Sequence, residues 1–222
     1  GGLGSRLSEY TKIIPKPMVK ILKVPIIVRI IKYYNKFGYN DFIIASGYKS
    51  KIIENYFKKN LRSLKIKVIN TGKKTMTGGR IKRLEKVLNE KRFLLTYGDG
   101  LCNVDIKKLV KLHIKNKNIV TLTAVRPPAR FGGIKISGPK VKYFKEKSSL
   151  DEGWINGGFF VMEPEIIKFI KNDSTILERY PLEKICKLKK LGAYKHYKSW
   201  QCMDTVRDKK NLELLIKKNI FS

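Results

Sequence analysis

Apolar and polar positions alternate between two periods along the chain. From Pro25 onward, isoleucines recur at three- and four-residue spacing until Gly38, which predicts a helix that begins near the proline and closes at the glycine. The apolar run Asp41–Ser46 follows, and its length and continuity are typical of a strand buried on both faces. The same order then repeats, with a helix over about 50–59 and an alternating strand over 65–69.

The middle of the chain continues this alternation. A polar, glycine-containing loop at 71–79 leads into a predicted helix that ends near residue 88. A predicted buried strand at 93–97 ends in a Gly-Asp-Gly turn, and Asp105 is a good N-cap for the helix behind it. Strands and helices in this order indicate a mostly parallel sheet with helices on both faces, an α/β fold.

Beyond residue 119 the predicted strands come closer together, which indicates a smaller antiparallel portion. They cover 119–126, 132–137, 140–146 and 155–162. Two or three helices and a short strand at about 192–198 complete the pattern. No internal repeat, low-complexity tract or linker interrupts it, so we expect a single domain over 1–222.

Composition adds a large positive charge, because 49 Lys and Arg face 18 Asp and Glu for a net charge of +31. The lysines lie mainly between apolar positions, and neither a long run of like charges nor a nucleic-acid-binding signature is present. That distribution favours solvated lysine-rich faces over a nucleic-acid surface, so we expect no nucleic-acid partner. A basic nucleic-acid-binding protein remains the alternative that the charge alone suggests. A broad positive potential also favours small phosphorylated ligands.

Cysteine usage and hydropathy bear on the compartment. The 3 cysteines are far apart and include no C-x-x-C pair, which argues against a disulfide framework or zinc knuckle and fits a reducing cytosol. No stretch approaches the roughly 18–20 apolar residues of a membrane span. We therefore expect a soluble cytoplasmic protein without a membrane partner. Because the chain starts at Gly1 without a methionine or a signal-peptide core, we infer that a few residues forming a buried strand precede it.

Open α/β sheets bind ligands at the carboxyl ends of their strands, which points to the loops at 1–20, 71–79 and 98–103. The first loop opens with exposed backbone N–H groups, a hydroxyl and a guanidinium, in outline a phosphate cradle. It is neither a Walker loop nor a dinucleotide fingerprint, and alone it is equally a simple turn. Farther along this loop, Pro15 and Pro17 flank Lys16. The prolines predict a stiff, extended mounting for a charge that meets a polyphosphate; a surface lysine in a proline-rich turn is the other interpretation.

Taken together, these segments resemble the signature of the sugar-phosphate nucleotidylyltransferases. The likeness covers nearly the whole chain and is carried, in order, by Gly1-Gly2-Leu3-Gly4-Ser5-Arg6-Leu7, Pro15-Lys16-Pro17-Met18, Asn70-Thr71-Gly72, Met76-Thr77-Gly78-Gly79-Arg80, Thr96-Tyr97-Gly98-Asp99-Gly100, Ile155-Asn156-Gly157-Gly158-Phe159-Phe160 and Met203-Asp204-Thr205 with Arg207-Asp208. Within that family it is most similar to the branch that makes CDP-glucose. The resemblance implies a Rossmann-like nucleotidyltransferase fold and transfer of a nucleotidyl group from CTP to α-D-glucose 1-phosphate, with release of pyrophosphate.

The resemblance also implies a metal site. A sugar phosphate is already largely dianionic near neutral pH and needs no general base, so catalysis reduces to alignment and charge neutralisation. We therefore interpret His113 and His196 as structural. Mg²⁺ prefers one or two carboxylates completed by phosphate and water, and the resemblance assigns it to Asp99 and Asp204. A turn former at Asp99 and a helix N-cap at Asp204 are the alternatives.

Other roles are carried over residue by residue. Arg6, Lys16 and Lys147 are implied to be catalytic, although Ser148 stands where the family usually has a proline after the lysine. Nucleotide binding is implied for Gly1, Gly2, Leu3, Gly4, Ser5, Arg6, Lys16, Thr75, Met76, Thr77, Arg80, Gly98 and Asp99. Sugar binding is implied for Lys147, Asn156, Gly157 and Glu178. For Arg80, the first exposed residue of a helix is the alternative.

Several points stay open at this stage. A uridylyl- or thymidylyltransferase would use the same residues, since main-chain groups can read a pyrimidine. A non-catalytic sugar-nucleotide-binding relative is a further alternative, but a pure binder would not require both metal carboxylates. We expect a homo-oligomer; the segment 58–69 is shorter than is typical of the CDP-glucose branch and contributes to subunit contacts in relatives.

Overall fold

The computed structural model describes residues 7–88, 91–127, 133–145 and 153–221. The strands are β1 (Lys20–Ile21), β2 (Val24–Pro25), β3 (Asp41–Ser46), β4 (Lys65–Asn70), β5 (Phe93–Thr96), β6 (Gly100–Cys102), β7 (Val120–Val125), β8 (Gly133–Ser137), β9 (Lys140–Lys145), β10 (Ile155–Met162), β11 (Leu191–His196) and β12 (Trp200–Cys202). The α-helices are α1 (Ser8–Thr11), α2 (Ile26–Asn35), α3 (Ser50–Lys59), α4 (Thr77–Arg83), α5 (Glu85–Leu88), α6 (Ile106–Asn116), α7 (Tyr180–Lys187) and α8 (Val206–Lys217). Two 3₁₀ helices cover Lys16–Met18 and Pro164–Phe169.

The main sheet has four strands in the order β11, β7, β10, β5. β11 runs parallel to β7, whereas β10 runs antiparallel to both β7 and β5. Three of its strands therefore point the same way, and β5, β7 and β11 end at one edge. The mixed sheet is as the sequence predicts, but two of the three ladders described in it are antiparallel, so the antiparallel portion is larger than predicted.

Smaller ladders surround this sheet. β3 and β4 form a parallel pair, and β6 pairs antiparallel with β12. β1 with β2 and β8 with β9 form antiparallel hairpins. The β6 and β12 pair matters most here, because it joins chain segments that flank the two predicted metal ligands.

Helices cover both faces of the main sheet. Phe159 on β10 packs in an apolar cluster with Ile30 of α2, Ile106 of α6 and Leu212 of α8. Its neighbour Phe160 lies in a second cluster with residues of α4 and α7. Because successive side chains of a strand point to opposite faces, the two phenylalanines anchor the two helical layers.

Most element boundaries follow the sequence pattern, with three corrections. β3 is only half buried along most of its length and β5 along all of it, so neither is the buried strand that was predicted. α4 begins at Thr77, inside the segment predicted as loop. β12 was not predicted, because three residues are too few to show a period. Pro25 and Gly38 do bound α2: the proline is its N-cap, and the glycine has φ +90°.

Two further findings concern the solvent and redox setting. In the described part of the chain, no helix has both the length and the apolar character needed to cross a bilayer. Cys102, Cys186 and Cys202 are all free thiols.

Candidate active site

The turn that carries Lys16 is shaped by its prolines. Pro15 is extended, with φ −69° and ψ 147°, but Lys16–Met18 form a 3₁₀ turn. The prediction of an extended mounting for the lysine was therefore wrong, because the backbone N–H groups of Met18 and Val19 bond back to Pro15 and Lys16. The turn is nevertheless anchored, since the Met18 side chain is buried.

Glycine at position 98 lets this turn approach the end of β5. A Cβ placed on Gly98 would lie 3.1 Å from Cγ of Pro17 and 3.4 Å from its Cβ. Those distances are tighter than ordinary van der Waals contact. The proline therefore packs directly on the end of the strand. This contact places Lys16 beside the side chain of Asp99, the residue after Gly98.

The pairing of β6 with β12 brings the two predicted metal ligands together. Cys202 is opposite Gly100 in this ladder, and one step beyond it the N–H of Met203 donates to the carbonyl of Asp99 at 2.8 Å. Asp204 follows directly, so its carboxylate emerges beside that of Asp99.

Lys16 connects the two carboxylates. Its Nζ lies 2.7 Å from Asp99 Oδ2 and 2.7 Å from Asp204 Oδ1, so those oxygens are no farther apart than twice that distance. Burial lowers the pKa of Lys16, but attraction to Asp99 and the hydrogen bonds to both aspartates outweigh it and raise the pKa above its ordinary value. The ammonium is therefore held in its charged form between two anions.

The start of α8 fixes the backbone of Asp204. Thr205 is the N-cap of this helix, and Asp208 completes a capping box with it. The Asp208 carboxylate accepts from the backbone N–H of Asp204 at 3.1 Å and from that of Thr205 at 2.9 Å. Asp204 is thus not the helix cap, and that alternative was wrong. Because other residues cap the helix, the Asp204 carboxylate can turn toward Lys16.

A second polar group lies at the same edge of the sheet. The hydroxyl of Tyr97 donates to Glu178 Oε1 and accepts from Asn156 Nδ2 at 3.4 Å. The other carboxylate oxygen, Oε2, accepts from Thr77 Oγ1 at 2.6 Å. Asn156 and Glu178, the predicted sugar ligands, are therefore joined through Tyr97, and Thr77 of the predicted base loop is joined to Glu178. Tyr97 directly precedes Gly98 and Asp99.

The glycines beside Asn156 serve packing within the protein. A Cβ on Gly157 would lie 2.8 Å from Cγ1 of Val125 on β7. Gly158 has φ +77°, and its Cβ would lie 2.6 Å from the ring of Tyr97. The space beside these glycines is filled by β7 and by the Tyr97 ring, so they allow close approach within the protein. Sugar binding at Gly157 remains a prediction.

Arg80 is a scaffold residue in this structure. Only 8% of its surface is exposed, so the alternative of an exposed helix residue was wrong. Its Nη1 donates to the carbonyl of Ser46 at 3.0 Å and to Thr71 Oγ1 at 2.7 Å, which ties together the ends of β3 and β4. In the loop before it, Thr75 is buried and Met76 is 41% exposed.

Part of the predicted site lies outside the described residues. This applies to Gly1, Gly2, Leu3, Gly4, Ser5, Arg6, Lys147 and Ser148. Their roles remain predictions from the sequence.

Both histidines are bonded to scaffold groups, as a structural role requires. His113 Nδ1 lies 2.9 Å from Thr121 Oγ1, and its Nε2 lies 3.1 Å from Glu163 Oε1. His196 Nε2 lies 3.0 Å from Asn103 Oδ1. Burial lowers the pKa of each imidazole, so the neutral form is favoured.

Sequence reasoning assigned no role to three residues that shape the site, Tyr97, Trp200 and Asp208, although Tyr97 and Asp208 lie in segments that carry the family resemblance. Trp200 Nε1 donates to the carbonyl of Gly157 at 2.8 Å and so holds the start of β10 against β12. Asp208 could have been found from the Thr-x-x-Asp capping pattern that begins at Thr205. Tyr97 and Trp200 have no local signal, because their partners are distant in sequence.

Comparison with known proteins identifies the family of the chain. A family model described as nucleotidyl transferase matches residues 1–201, and the chain belongs to that family. The glucose-1-phosphate cytidylyltransferase of Salmonella typhi is 42% identical over 241 aligned residues, which cover 98% of this chain and 94% of that protein. The D-glycero-α-D-manno-heptose 1-phosphate guanylyltransferase of Aneurinibacillus thermoaerophilus is 34% identical, over 76% of this chain and 74% of that protein.

Solved structures show the same fold. The crystal structure of HddC from Yersinia pseudotuberculosis complexed with GMP-PN has a TM-score of 0.74 and 26% identity, and the match covers 97% of this chain and 96% of that chain. The alignment with the Salmonella protein spans 241 residues, whereas this chain has 222. That relative therefore carries residues that this chain lacks, and their location at 58–69 remains a prediction.

Proposed function

We propose that this protein transfers the cytidylyl group of CTP to α-D-glucose 1-phosphate and so forms CDP-glucose and pyrophosphate. The observation that carries the proposal is the placement of Asp99 and Asp204 on one ammonium group at the carboxyl edge of the sheet. The Salmonella relative, 42% identical over nearly the full length of both chains, supports cytidine as the base and glucose as the sugar.

The pair of aspartates fits a divalent cation, and we assign Mg²⁺ to it. Two carboxylates from separate strands already meet around one positive charge, and both side chains are partly exposed, at 32% and 26%. Mg²⁺ uses one or two protein carboxylates and fills its octahedron with phosphate oxygens and water. When bound, Mg²⁺ would neutralise charge on the triphosphate.

The chain's own residues then supply alignment. A phosphate oxygen of glucose 1-phosphate attacks the α-phosphorus of CTP, and a new P–O bond forms on the side opposite the leaving group. The bond to the bridging oxygen breaks, and pyrophosphate leaves with that electron pair. Lys16 and Arg6 would hold the triphosphate and stabilise the charge of the transition state, while Lys147 would hold the sugar phosphate.

The two ends of the substrate pair have separate binding groups. Asn156 and Glu178 provide an amide and a carboxylate for sugar hydroxyls beside Gly157, joined through Tyr97. On the base side, we assign the loop 75–77 and Gly98 to the nucleobase; Thr77 is linked through Glu178 to Tyr97, the residue before Gly98. The buried Arg80, which follows that loop in the chain, ties the ends of β3 and β4 together through Ser46 and Thr71.

The test is pyrophosphate release from the purified full-length protein, with glucose 1-phosphate and each of CTP, UTP, dTTP and GTP. We expect CTP to be preferred by at least about tenfold in kcat/KM. Equal rates with UTP or dTTP would leave the transferase assignment standing and overturn the choice of base. Absence of release with every nucleotide would overturn the enzymatic assignment.

The remaining proposals concern the whole molecule. We propose that residues 1–222 form one nucleotidyltransferase domain, that the protein acts as a homo-oligomer, and that it works in the cytoplasm, where CTP is available. Light scattering coupled to size-exclusion chromatography tests the oligomer directly. A monomer at the concentration of the activity assay would contradict it.

A further inference from the structure

The hydroxyl of Tyr97 lies between two groups of opposite hydrogen-bonding character. It donates to Glu178 Oε1 and accepts from Asn156 Nδ2. The phenol therefore fixes a carboxylate acceptor and an amide donor relative to each other.

The ring that carries this hydroxyl has a fixed place. Gly158, at φ +77°, leaves no room for a Cβ beside Cδ2 of the ring, and Phe160 contacts the ring edge-on with centroids 5.6 Å apart. The backbone is fixed as well, because the N–H of Tyr97 donates to the carbonyl of Gly158 at 3.1 Å. Movement of the phenol would require β10 to move.

The position of Tyr97 in the chain connects the pair Glu178 and Asn156 to the pair Asp99 and Asp204. Tyr97 is two residues before Asp99, and Gly98 between them packs against Pro17. Tyr97, which joins the two groups at the sugar end, and Asp99, one of the two carboxylates at the phosphate end, therefore lie on one short stretch of backbone.

Glu178 retains capacity for a ligand. Thr77 and Tyr97 each donate to one of its oxygens, yet a carboxylate has about four lone-pair sites. The residue is exposed at the surface of this edge. Hydroxyl groups of a sugar could thus donate to an acceptor whose direction the protein has already set.

We infer that Tyr97 is a positioning residue that sets sugar specificity by holding Glu178 and Asn156 at a fixed distance from Asp99. The inference rests on the proposed function and adds a residue to it. A site with oriented polar groups favours a sugar whose hydroxyls pair with them over a sugar that leaves them unpaired. Without the hydroxyl, Glu178 and Asn156 keep their functional groups but lose the hydrogen bonds that hold the two side chains relative to each other.

The test compares Tyr97→Phe with Tyr33→Phe. Phenylalanine keeps the ring against Gly158 and removes only the hydroxyl. Tyr33 is a matched control, because its hydroxyl also bonds to the scaffold, to the carbonyl of Val104 at 2.8 Å, but in the core beside α6.

We expect Tyr97→Phe to raise KM for glucose 1-phosphate about tenfold and to leave KM for CTP within about twofold. The preference for glucose 1-phosphate over galactose 1-phosphate should fall by a similar factor. Tyr33→Phe should change none of these quantities.

Calorimetric binding of glucose 1-phosphate to the same proteins separates the two proposals. Tighter binding to wild type than to Tyr97→Phe supports the positioning role even if no nucleotide is transferred, in which case the proposed function alone fails. An unchanged KM and an unchanged sugar preference, or an equal rise in both KM values, would overturn the role of Tyr97. So would a wild-type protein that binds no sugar phosphate.

Discussion

Asp99 and Asp204 approach each other because the N–H of Met203, the residue before Asp204, donates to the carbonyl of Asp99 at 2.8 Å. Each carboxylate then lies 2.7 Å from Nζ of Lys16. The pair is thus set by backbone pairing of β6 with β12, and the lysine neutralises a charge density that the fold itself creates. This relationship leads to the first two predictions.

Removing either carboxylate charge should abolish most turnover without unfolding the protein. Asp99→Asn and Asp204→Asn keep the side-chain shape but remove the anion, so each should lower kcat at least about 100-fold. Steady-state pyrophosphate release measures this loss. Asp105→Asn is the control, because Asp105 caps α6 by accepting from the N–H of Lys108 and asparagine is an equally good cap. Normal turnover in either site variant would show that the metal site is misplaced.

Replacing the lysine should affect stability in a way that a divalent cation reverses. Lys16→Met leaves two neighbouring carboxylates without their shared cation, so the free energy of unfolding should fall by about 1 kcal/mol in metal-free buffer. Added MgCl₂ should then raise Tm more in the variant than in wild type, because ligand binding to the native state stabilises it. Lys12→Met, at an exposed lysine nearby, should respond as wild type does. Equal shifts in all three proteins would contradict this account.

The close approach of Tyr97 to β10 should make Gly158 intolerant of a side chain. Gly158→Ala combines a positive φ with a Cβ 2.6 Å from the Tyr97 ring. Gly138→Ala also has a positive φ, +57°, but nothing lies within 4 Å of its Cβ. Strain is common to both variants, so their difference isolates the clash, which we expect to cost about 2 kcal/mol. Urea unfolding measures both values, and equal losses would show that the ring yields.

Stability should fall in mild acid because of the buried histidines. Desolvation by burial lowers the pKa of His113 below its ordinary 6.5, so the unfolded chain binds the proton more readily than the folded one. The stabilisation is complete above pH 6.5 and is lost as the pH falls from there toward the lower folded-state pKa. Urea midpoints of wild type at pH 7.5 and 5.5 should show this loss.

The variant His113→Gln should lose less stability over the same interval. The remaining loss would belong to His196, whose pKa burial also lowers. An identical loss in wild type and variant would contradict the assignment to His113.

The sequence predicts the local elements well, since period and capping act within one segment. Asp105 caps α6 as predicted, and the strand at 65–69 is lengthened by one residue. The meeting of Lys16, Asp99 and Asp204 could be predicted only through the family resemblance, because their contact depends on a three-residue strand, β12, that has no readable period. The role of Arg80 was equally hidden, since burial of a guanidinium depends on which strand ends surround it.

Gly157 and Gly158, the glycines after Asn156, show again that contacts between distant segments cannot be predicted from the sequence. Sequence marks Gly157 and Gly158 as places of close backbone approach, which is correct, but it does not say what approaches. Val125 and Tyr97 come from other strands, and only the sheet order β7, β10, β5 places them there.

The short ladder between β6 and β12 has a consequence for biosynthesis. A chain growing on the ribosome presents Asp99 about a hundred residues before Asp204, so early nascent chains carry half of the acidic pair. The second half is oriented only when Asp208 has emerged and α8 has closed its capping box. Competence for chemistry is therefore acquired late in translation, and a polypeptide that ends before this helix would lack the oriented pair and would not catalyse the reaction.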